Sequence, residues 1–355
     1  MTKSLVPVAK IIINDKPLSV DVKSKIGSIS IEVLEDLEAA AMFTLQIGSS
    51  DSIKNETYWI DNNDPFELGR KVEIKLGYKN NQESLIIGEI TGFEIDFTSN
   101  GAILTVRGHS ATHRLLRGNK SRTFTEMKFS DIVKKIAKEH GLKTKIEDKD
   151  LKNLVSEYVI QWNQSDFDFL KNHAMKIDHE VFIEKNTLHL RPIQRDSSKP
   201  TILILDREEN LTQFSIHLST MGQVEKIQVY SWDPKKKERL IAEVGKETTH
   251  EKNGAVLESG RKIFKNSNYA TIMPEIDDQK LLDAFAKTLL DAMDRSYITG
   301  EGTCRGDPKL RVGQTIEVTG VGTRFSGYYY VTRTTHSYSE SEGYKTEFSF
   351  TRKVK

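Results

Sequence analysis

The sequence predicts a mainly β chain with α+β insertions, and three observations carry that expectation. The first hundred residues alternate apolar and polar side chains in seven short segments broken by turn residues. The pattern changes to a helical period from Phe129 and again from Phe167. Alternation then returns after Thr201 and dominates the last fifty residues.

The early strands are read at 8–13, 18–22, 28–34, 42–48, 70–77, 85–97 and 101–109. Asn14-Asp15, Lys79-Asn80-Asn81 and Ser99-Asn100-Gly101 mark turns between them. Strands at this density favour a barrel or a sandwich. Ser130 is expected to cap a helix whose apolar positions are Ile132, Val133, Ile136 and Ala137, with Gly141 closing it. Tyr158 to Trp162 alternates as a half-buried strand, and Ser165 or Asp166 can accept the free N–H groups of the next helix. Phe167, Leu170 and Ala174 form that helix's apolar stripe, opposite Lys171, Asn172 and Lys176. Trp162, Phe167 and Leu170 are assigned to the core. Asp178 sits where a turn belongs, and Val181–Glu184 and Thr187–Arg191 make a hairpin around Lys185-Asn186. Residues 201–232 carry the strand patterns ILILD, LTQFSIHLS and VEKIQVYSW. A helix from Asp277 to Tyr297 aligns Leu281, Leu282, Phe285, Ala286, Leu289, Leu290 and Met293. Thr315–Thr319, Tyr328–Thr334 and Tyr344–Thr351 are three further strands between Gly-rich turns.

Charge and cysteine content narrow the function classes. The 355 residues hold 52 Lys plus Arg against 51 Asp plus Glu, so no net basicity points to nucleic acid or an anionic membrane. A single cysteine, Cys304, forbids an internal disulfide and suits synthesis in a reducing cytoplasm. Only Leu5 to Ala9 is apolar after Met1-Thr-Lys, too short for a signal peptide. No run approaches the roughly 20 apolar residues that cross a bilayer.

Candidate catalytic groups all have a structural alternative. Gly108-His109-Ser110-Ala111-Thr112 starts like a nucleophile elbow but lacks the second glycine. His109 and His113 have zinc-helix spacing, yet Ser110 stands where the activating glutamate belongs. Cys304 has no CxxC partner and reads as a buried apolar residue or a surface thiol. The carboxylates of Glu35-Asp36-Glu38 and of Asp206-Arg207-Glu208-Glu209 read as loops and solvated faces. Lys235-Lys236-Lys237 with Arg239 follows the turn at Asp233-Pro234 and reads as a solvated hairpin tip. The expectation is no catalytic, cofactor-binding or metal residue.

Three separated patches resemble one family. Gln161, Trp162, Ser165, Asp166, Phe167, Phe169, Leu170, His189 and Leu190 follow a Q/W-x-x-S-D-F-x-F-L helix and H-x-L hairpin. Gly306, Pro308, Leu310, Gly313, Ile316, Val318, Gly320, Phe325, Gly327, Tyr329, Val331, His336, Gly343, Tyr344, Thr346 and Phe348 follow a carboxy-terminal barrel pattern. Gly69, Val72, Ile74, Gly88, Ile90 and Thr91 follow a first-barrel pattern. In this order they resemble the tail-hub family of contractile injection machines: the late control gene D proteins of tailed phages and the amino-terminal part of VgrG proteins. One departure is Ile177-Asp178-His179, where that family usually has glycine. Arg305-Gly306-Asp307 coincides with the family's Gly-x-Pro turn.

The resemblance implies two small antiparallel β-barrels, called tube domains, plus αβ domains. The first barrel would be 1–115, an αβ domain 116–200, the second barrel 201–232 with 298–355, and 233–297 an inserted αβ segment. It implies a non-enzymatic baseplate hub, a homotrimer that joins a six-fold tail tube to a three-fold spike. The implied partners are a spike protein below, a tail tube or tube-initiator protein above, and baseplate wedge proteins. No specific nucleic acid binding, membrane insertion or cofactor is implied. VgrG proteins continue into a needle, whereas this chain stops at Lys355, so the spike is expected on another polypeptide. The protein would be made in the bacterial cytoplasm and assembled into a virion tail or injection-particle baseplate. A type VI VgrG-like hub without a fused spike is the neighbouring alternative. A barrel that binds nucleic acid, hinted at by Tyr328 to Arg333, or a glycan-binding tail protein is the distant one. Phe43–Ile47 and Tyr328–Val331 are expected to be edges completed by neighbours. Glu73, Lys75, Glu317 and Thr319 are candidate channel-wall residues, because Val72, Ile74, Ile316 and Val318 should fill the cores.

Overall fold

Alternation of burial organises the amino-terminal strands. The computed structural model describes residues 6–18, 26–49, 65–79, 81–98, 101–147, 155–177, 179–193, 203–245, 267–273 and 276–352. Strands β1 (Pro7–Ile13), β2 (Lys16–Pro17), β3 (Ile26–Asp36), β4 (Met42–Ser49), β5 (Lys71–Tyr78), β6 (Asn81–Thr98) and β7 (Gly101–Ser110) form one antiparallel sheet in the order β2-β1-β5-β6-β7-β4-β3. Val33, Phe43, Leu45, Val72, Ile74, Leu76 and Val106 fill its core. Asn14 and Asp15 take the positive φ values of 46° and 63° that the tight β1–β2 turn demands. Gly108 is required by packing, since a Cβ there would lie 2.2 Å from the Phe43 ring. The strand expected at 18–22 falls largely outside the described residues, as do Asn80, Ser99 and Asn100.

The middle of the chain forms the αβ unit. It comprises α1 (Thr112–Leu116), β8 (Lys120–Lys128), α2 (Phe129–Glu139), β9 (Lys143–Ile146), β10 (Val155–Gln164), α3 (Asp166–Lys176), β11 (His179–Glu184) and β12 (Thr187–Pro192). β8 and β10 pair as an antiparallel ribbon, while β12 joins β11 to β9. Ile132, Val133, Ile136, Phe124, Phe167, Phe169, Leu170 and Leu190 form a second core. Ser165 caps α3 by accepting the Asp168 N–H at 3.1 Å. Ser130 does not cap α2: the N-cap is Lys128, without a side-chain bond, and Ser130 is buried in the first turn. Gly141 ends that helix region with φ +67°. Asp178 lies outside the described residues.

Trp162 corrects the expected core. It is 77% exposed, whereas Phe167 and Leu170 are buried. The period of a strand explains the difference, because Gln161 is fully buried by polar partners and its neighbour must then point outward.

The carboxy-terminal half returns to strands. β13 (Ile204–Asp206) and β14 (Leu211–Leu218) precede β15 (Lys226–Asp233), β16 (Glu238–Gly245), β17 (Asn268–Ile272) and α4 (Gln279–Arg295). Then come β18 (Ile298–Arg305), β19 (Thr315–Thr319), β20 (Gly327–Ser339) and β21 (Gly343–Arg352). Ile298, Ile316, Val318, Tyr329, Val331, Phe348 and Phe350 belong to a third core. β15, expected in the second barrel, pairs instead with β16 and β17 in a separate sheet. Its inward residues Ile227 and Val229 bury against Leu282, Ala286 and Leu290 of α4 in a fourth core. Asp278 caps α4 by accepting the Leu281 N–H at 3.0 Å.

Among the described residues the molecule is mainly β, as predicted, and its helices lie in the αβ segments. Its two barrel cores share one continuous sheet, because β20 pairs with β19 and β21 in one core and, from Arg333 to Ser339, with β3 of the other. Neither Phe43–Ile47 nor Tyr328–Val331 is an edge. β4 lies between β3 and β7, and Tyr328–Val331 lies between β19 and β21. Their apolar runs reflect burial at the sheet centre, which alternation alone does not distinguish from an edge.

Candidate assembly surfaces and their support

Asp166 explains why the Q-x-x-x-S-D-F stretch reads as one unit. Its buried carboxylate accepts Lys120 Nζ at 2.6 Å, Arg122 Nη2 at 2.8 Å and Gln161 Nε2 at 2.9 Å, and lies 2.7 Å from His140 Nε2. Arg122 also reaches Glu139 at 2.7 and 2.8 Å and donates to Gln161 Oε1 at 2.7 Å. Burial opposes ionisation here, yet the bonds from His140, Lys120 and Gln161 with the charge of Arg122 hold Asp166 at about 2. The cluster pins β8, α2, β10 and α3 together.

A second polar network joins the αβ unit and both barrels. Arg311 donates Nε to Glu35 Oε2 at 2.7 Å, makes a further bond to the same carboxylate through Nη2, and caps the carbonyls of Ser84 (3.2 Å) and Leu85 (2.6 Å). Burial works against its charge, and Glu35 outweighs that effect and raises its pKa. Glu180 of β11 accepts Tyr330 OH at 3.0 Å and Arg191 Nε at 2.6 Å. His336, fully buried, lies 3.0 Å from the Leu310 carbonyl through Nε2, so Nε2 carries the proton and Nδ1 accepts from Tyr344 OH at 2.8 Å. Burial, then the charge of Arg311, lowers its pKa to about 3. A cavity of about 580 Å³ opens between these elements, lined by Glu35, Ser84, Phe182, His189, Arg191 and Arg311 among others.

The residues considered for catalysis are dispersed by the fold. His109 ends β7 and His113 lies in α1, their rings 6.2 Å apart. His109 Nδ1 meets Thr91 Oγ1 at 2.8 Å, and His113 Nδ1 donates to the Ser110 carbonyl at 2.8 Å. Cys304 is buried, which pushes its thiol up to about 12. Glu35 is a correction to the solvated-face reading, since it is a buried ion-pair partner in β3. Asp206 accepts the Thr319 hydroxyl and the Glu208 N–H. Lys235 to Lys237 form the β15–β16 turn, where Asp233 accepts the N–H groups of Lys235 and Lys236. Arg305-Gly306-Asp307 is a turn under Tyr344, whose ring would lie 2.2 Å from a Cβ at Gly306. Among the described residues no group of three or more His, Cys, Asp and Glu could hold a metal, and no helix is long and apolar enough to cross a membrane.

Two exposed apolar faces went unread in the sequence. Tyr158 (59% exposed), Ile160 (48%) and Trp162 (77%) form a row on the outer side of β10. On the sheet of β16, β15 and β17, Tyr230 pairs across with Ile241 on one side and Ile272 on the other. Trp232 lies in the same outward row as Tyr230, and the Arg239 guanidinium sits 4.1 Å over the Tyr230 ring. The available signal was surplus: Tyr158 to Trp162 holds apolar residues at both parities of a strand, more than one core face can bury. The expected wall residues behave as predicted in one respect, with Val72, Ile74, Ile316 and Val318 fully buried and Glu73, Lys75, Glu317 and Thr319 on the other face.

Comparison with known proteins agrees with this architecture. A family model described as the Alg8 N-terminal domain matches residues 4–340. No curated protein matches the chain. The 43 kDa tail protein of prophage MuSo2 from Shewanella oneidensis is similar in structure, with TM-score 0.73 and 12% identity over 98% of each chain. A tail protein from Neisseria meningitidis MC58 gives TM-score 0.71 and 13% identity over 98% of this chain and 96% of that one. The E. coli c3393 protein, a component of the type VI secretion system, gives TM-score 0.58 and 15% identity, covering 92% of this chain and 73% of that chain. At these identities the likeness establishes the fold, which is that of phage tail proteins.

Proposed function

The chain belongs to the Alg8 N-terminal domain family, and from its tail-protein fold we propose that it is a structural hub of a contractile tail or a related injection particle. The observation that carries the reading is the pair of barrel cores set side by side in one sheet, joined by β20. Three such chains in a ring present six barrels, which matches a six-fold tube, while the ring itself keeps the three-fold symmetry of a spike. Whole-chain likeness to two tail proteins, one of them from a prophage, supports the same reading. The domains we assign are a first barrel that ends with β7, earlier than the expected 115 because Leu115 packs in the second core, an αβ domain from there to 200, and a second barrel built from both sides of an insertion. That insertion begins by Val224, because Val224 packs in the fourth core, and runs to 297. In this reading the partners are two further copies, a spike protein, a tube or tube-initiator protein and wedge proteins, and the role is assembly without chemistry.

Light scattering on the purified chain, alone and mixed with its spike protein, tests the proposal. The expected mass is that of three copies in at least one of the two conditions. A monomer in both conditions overturns the hub reading.

A further inference from the structure

The two exposed apolar faces are unlike each other and lie on different parts of the chain. α4 covers the inner side of the β15 sheet and packs on α3, and Phe169 of α3 stacks on Phe124 of β8 at 5.5 Å. Two helices therefore stand between the sheet carrying Trp232, Ile241 and Ile272 and the ribbon carrying Tyr158, Ile160 and Trp162. No described element of the chain covers the outer side of either face, as the exposures of these residues show.

Resting on the trimer reading above, we infer that these are the two halves of one head-to-tail interface, the β10 row of one copy docking on the β15 sheet of the next. The occupant of each face is thus a second copy of this chain. Self-pairing would need two different symmetric contacts, one per face, and copies joined in that way close only in even numbers, which a trimer is not. A heterologous contact covers both faces with a single interface and closes when the rotation per copy divides a circle. The area also suits this partner. Aromatic residues bury about 150 to 250 Å² each, so the exposed parts of each face amount to roughly 300 to 400 Å². One interface then holds roughly 700 Å² of apolar anchor, close to half of the approximately 1,600 Å² in a standard stable interface. The composition fits as well, because Trp, Tyr and Arg are the residues that dominate binding energy at interface centres.

Two variants and their mixture test the inference under whichever condition yields the trimer, alone or with the spike protein. Trp162→Asp spoils the β10 row and leaves the β15 sheet intact, and Ile272→Asp does the reverse. Each is expected to fall from three copies to one by light scattering while keeping the far-UV circular dichroism of the folded chain, because both side chains are exposed. Mixed together, the two are expected to form a one-to-one dimer, since one intact pair of faces remains and both outer ends are blocked. A full trimer from either single variant overturns the inference and leaves the hub reading standing. Two monomeric variants that do not combine overturn the pairing of these faces. If the unaltered chain is a monomer in both conditions, the hub reading fails and the inference falls with it. Trp162→Ser and Ile272→Ser repeat the test without an added charge should either aspartate variant fail to fold.

Discussion

Asp166 shows how one side chain can fix the identity of its neighbours. Four donors converge on its buried carboxylate, and the bond from Gln161 holds that residue inside and turns Trp162 out. Asp166→Asn leaves Lys120 and Arg122 facing a neutral group and is expected to cost roughly 3 to 5 kcal/mol in denaturant unfolding. The acid behaviour of the protein follows from individual groups. Asp166 has a folded pKa of about 2, below its unfolded value, so its contribution is complete above about pH 4 and is lost as the pH falls toward 2. His336 is also depressed, to about 3, but as a base it must stay neutral in the fold. Its contribution is complete above about pH 6.5 and declines continuously as the pH drops through that value toward 3. His109 and His189, lowered mainly by burial, act in the same direction. Urea unfolding measured between pH 7 and 4 is expected to show falling stability, and His336→Gln is expected to flatten that slope. A wild-type curve level across this range contradicts the assignment.

Among the elements, α3 is the one whose sequence and structure agree most closely. Its cap, its stripe and its closing hairpin were all legible, because each depends on residues within a few positions of one another. Leu170→Ala is expected to cost about 2 to 5 kcal/mol in a thermal or urea melt, Leu170 being fully buried. Ser165→Ala is expected to cost about 1 kcal/mol through the lost cap. The features that escaped were those set by distant partners. Ser130 looks like a cap, yet the chain enters α2 two residues earlier, at Lys128 on the path from β8, and Ser130 is buried instead. β15 carries the same alternation as a barrel strand, and only its pairing with β16 and β17 separates it from β14. Phe43 to Ile47 has the apolar content of an edge awaiting a neighbour, and it already has one on each side. The exposed row on β10 was hidden for a related reason: period two assigns residues to faces without saying which face is covered.

For the whole molecule, the proposed ring requires a lumen to which passing cargo does not adhere. Glu73, Lys75, Glu317 and Thr319 are the candidate lining, and Lys75 is already paired with Glu73 at 3.3 Å, which leaves no net charge from that pair to hold phosphates. A structure of the assembled ring is expected to show a polar wall, and a lumen lined by leucine, valine and phenylalanine would refute the placement. The duplication of barrels was suggested by the sequence through its family resemblance, whereas their fusion into one sheet was not, since nothing local marks Arg333 to Ser339 as facing β3. That fusion has a mechanical consequence. A linker would let the two barrels swing independently, as domains joined by small interfaces do. Here the two barrels are tied through seven consecutive residue pairs of β20 and β3, from Arg333–Asp36 to Ser339–Ser30. In the proposed ring such a joint behaves as a fixed spacer: it holds the two barrels of each copy at one separation, so a load on either is shared sideways by its neighbour.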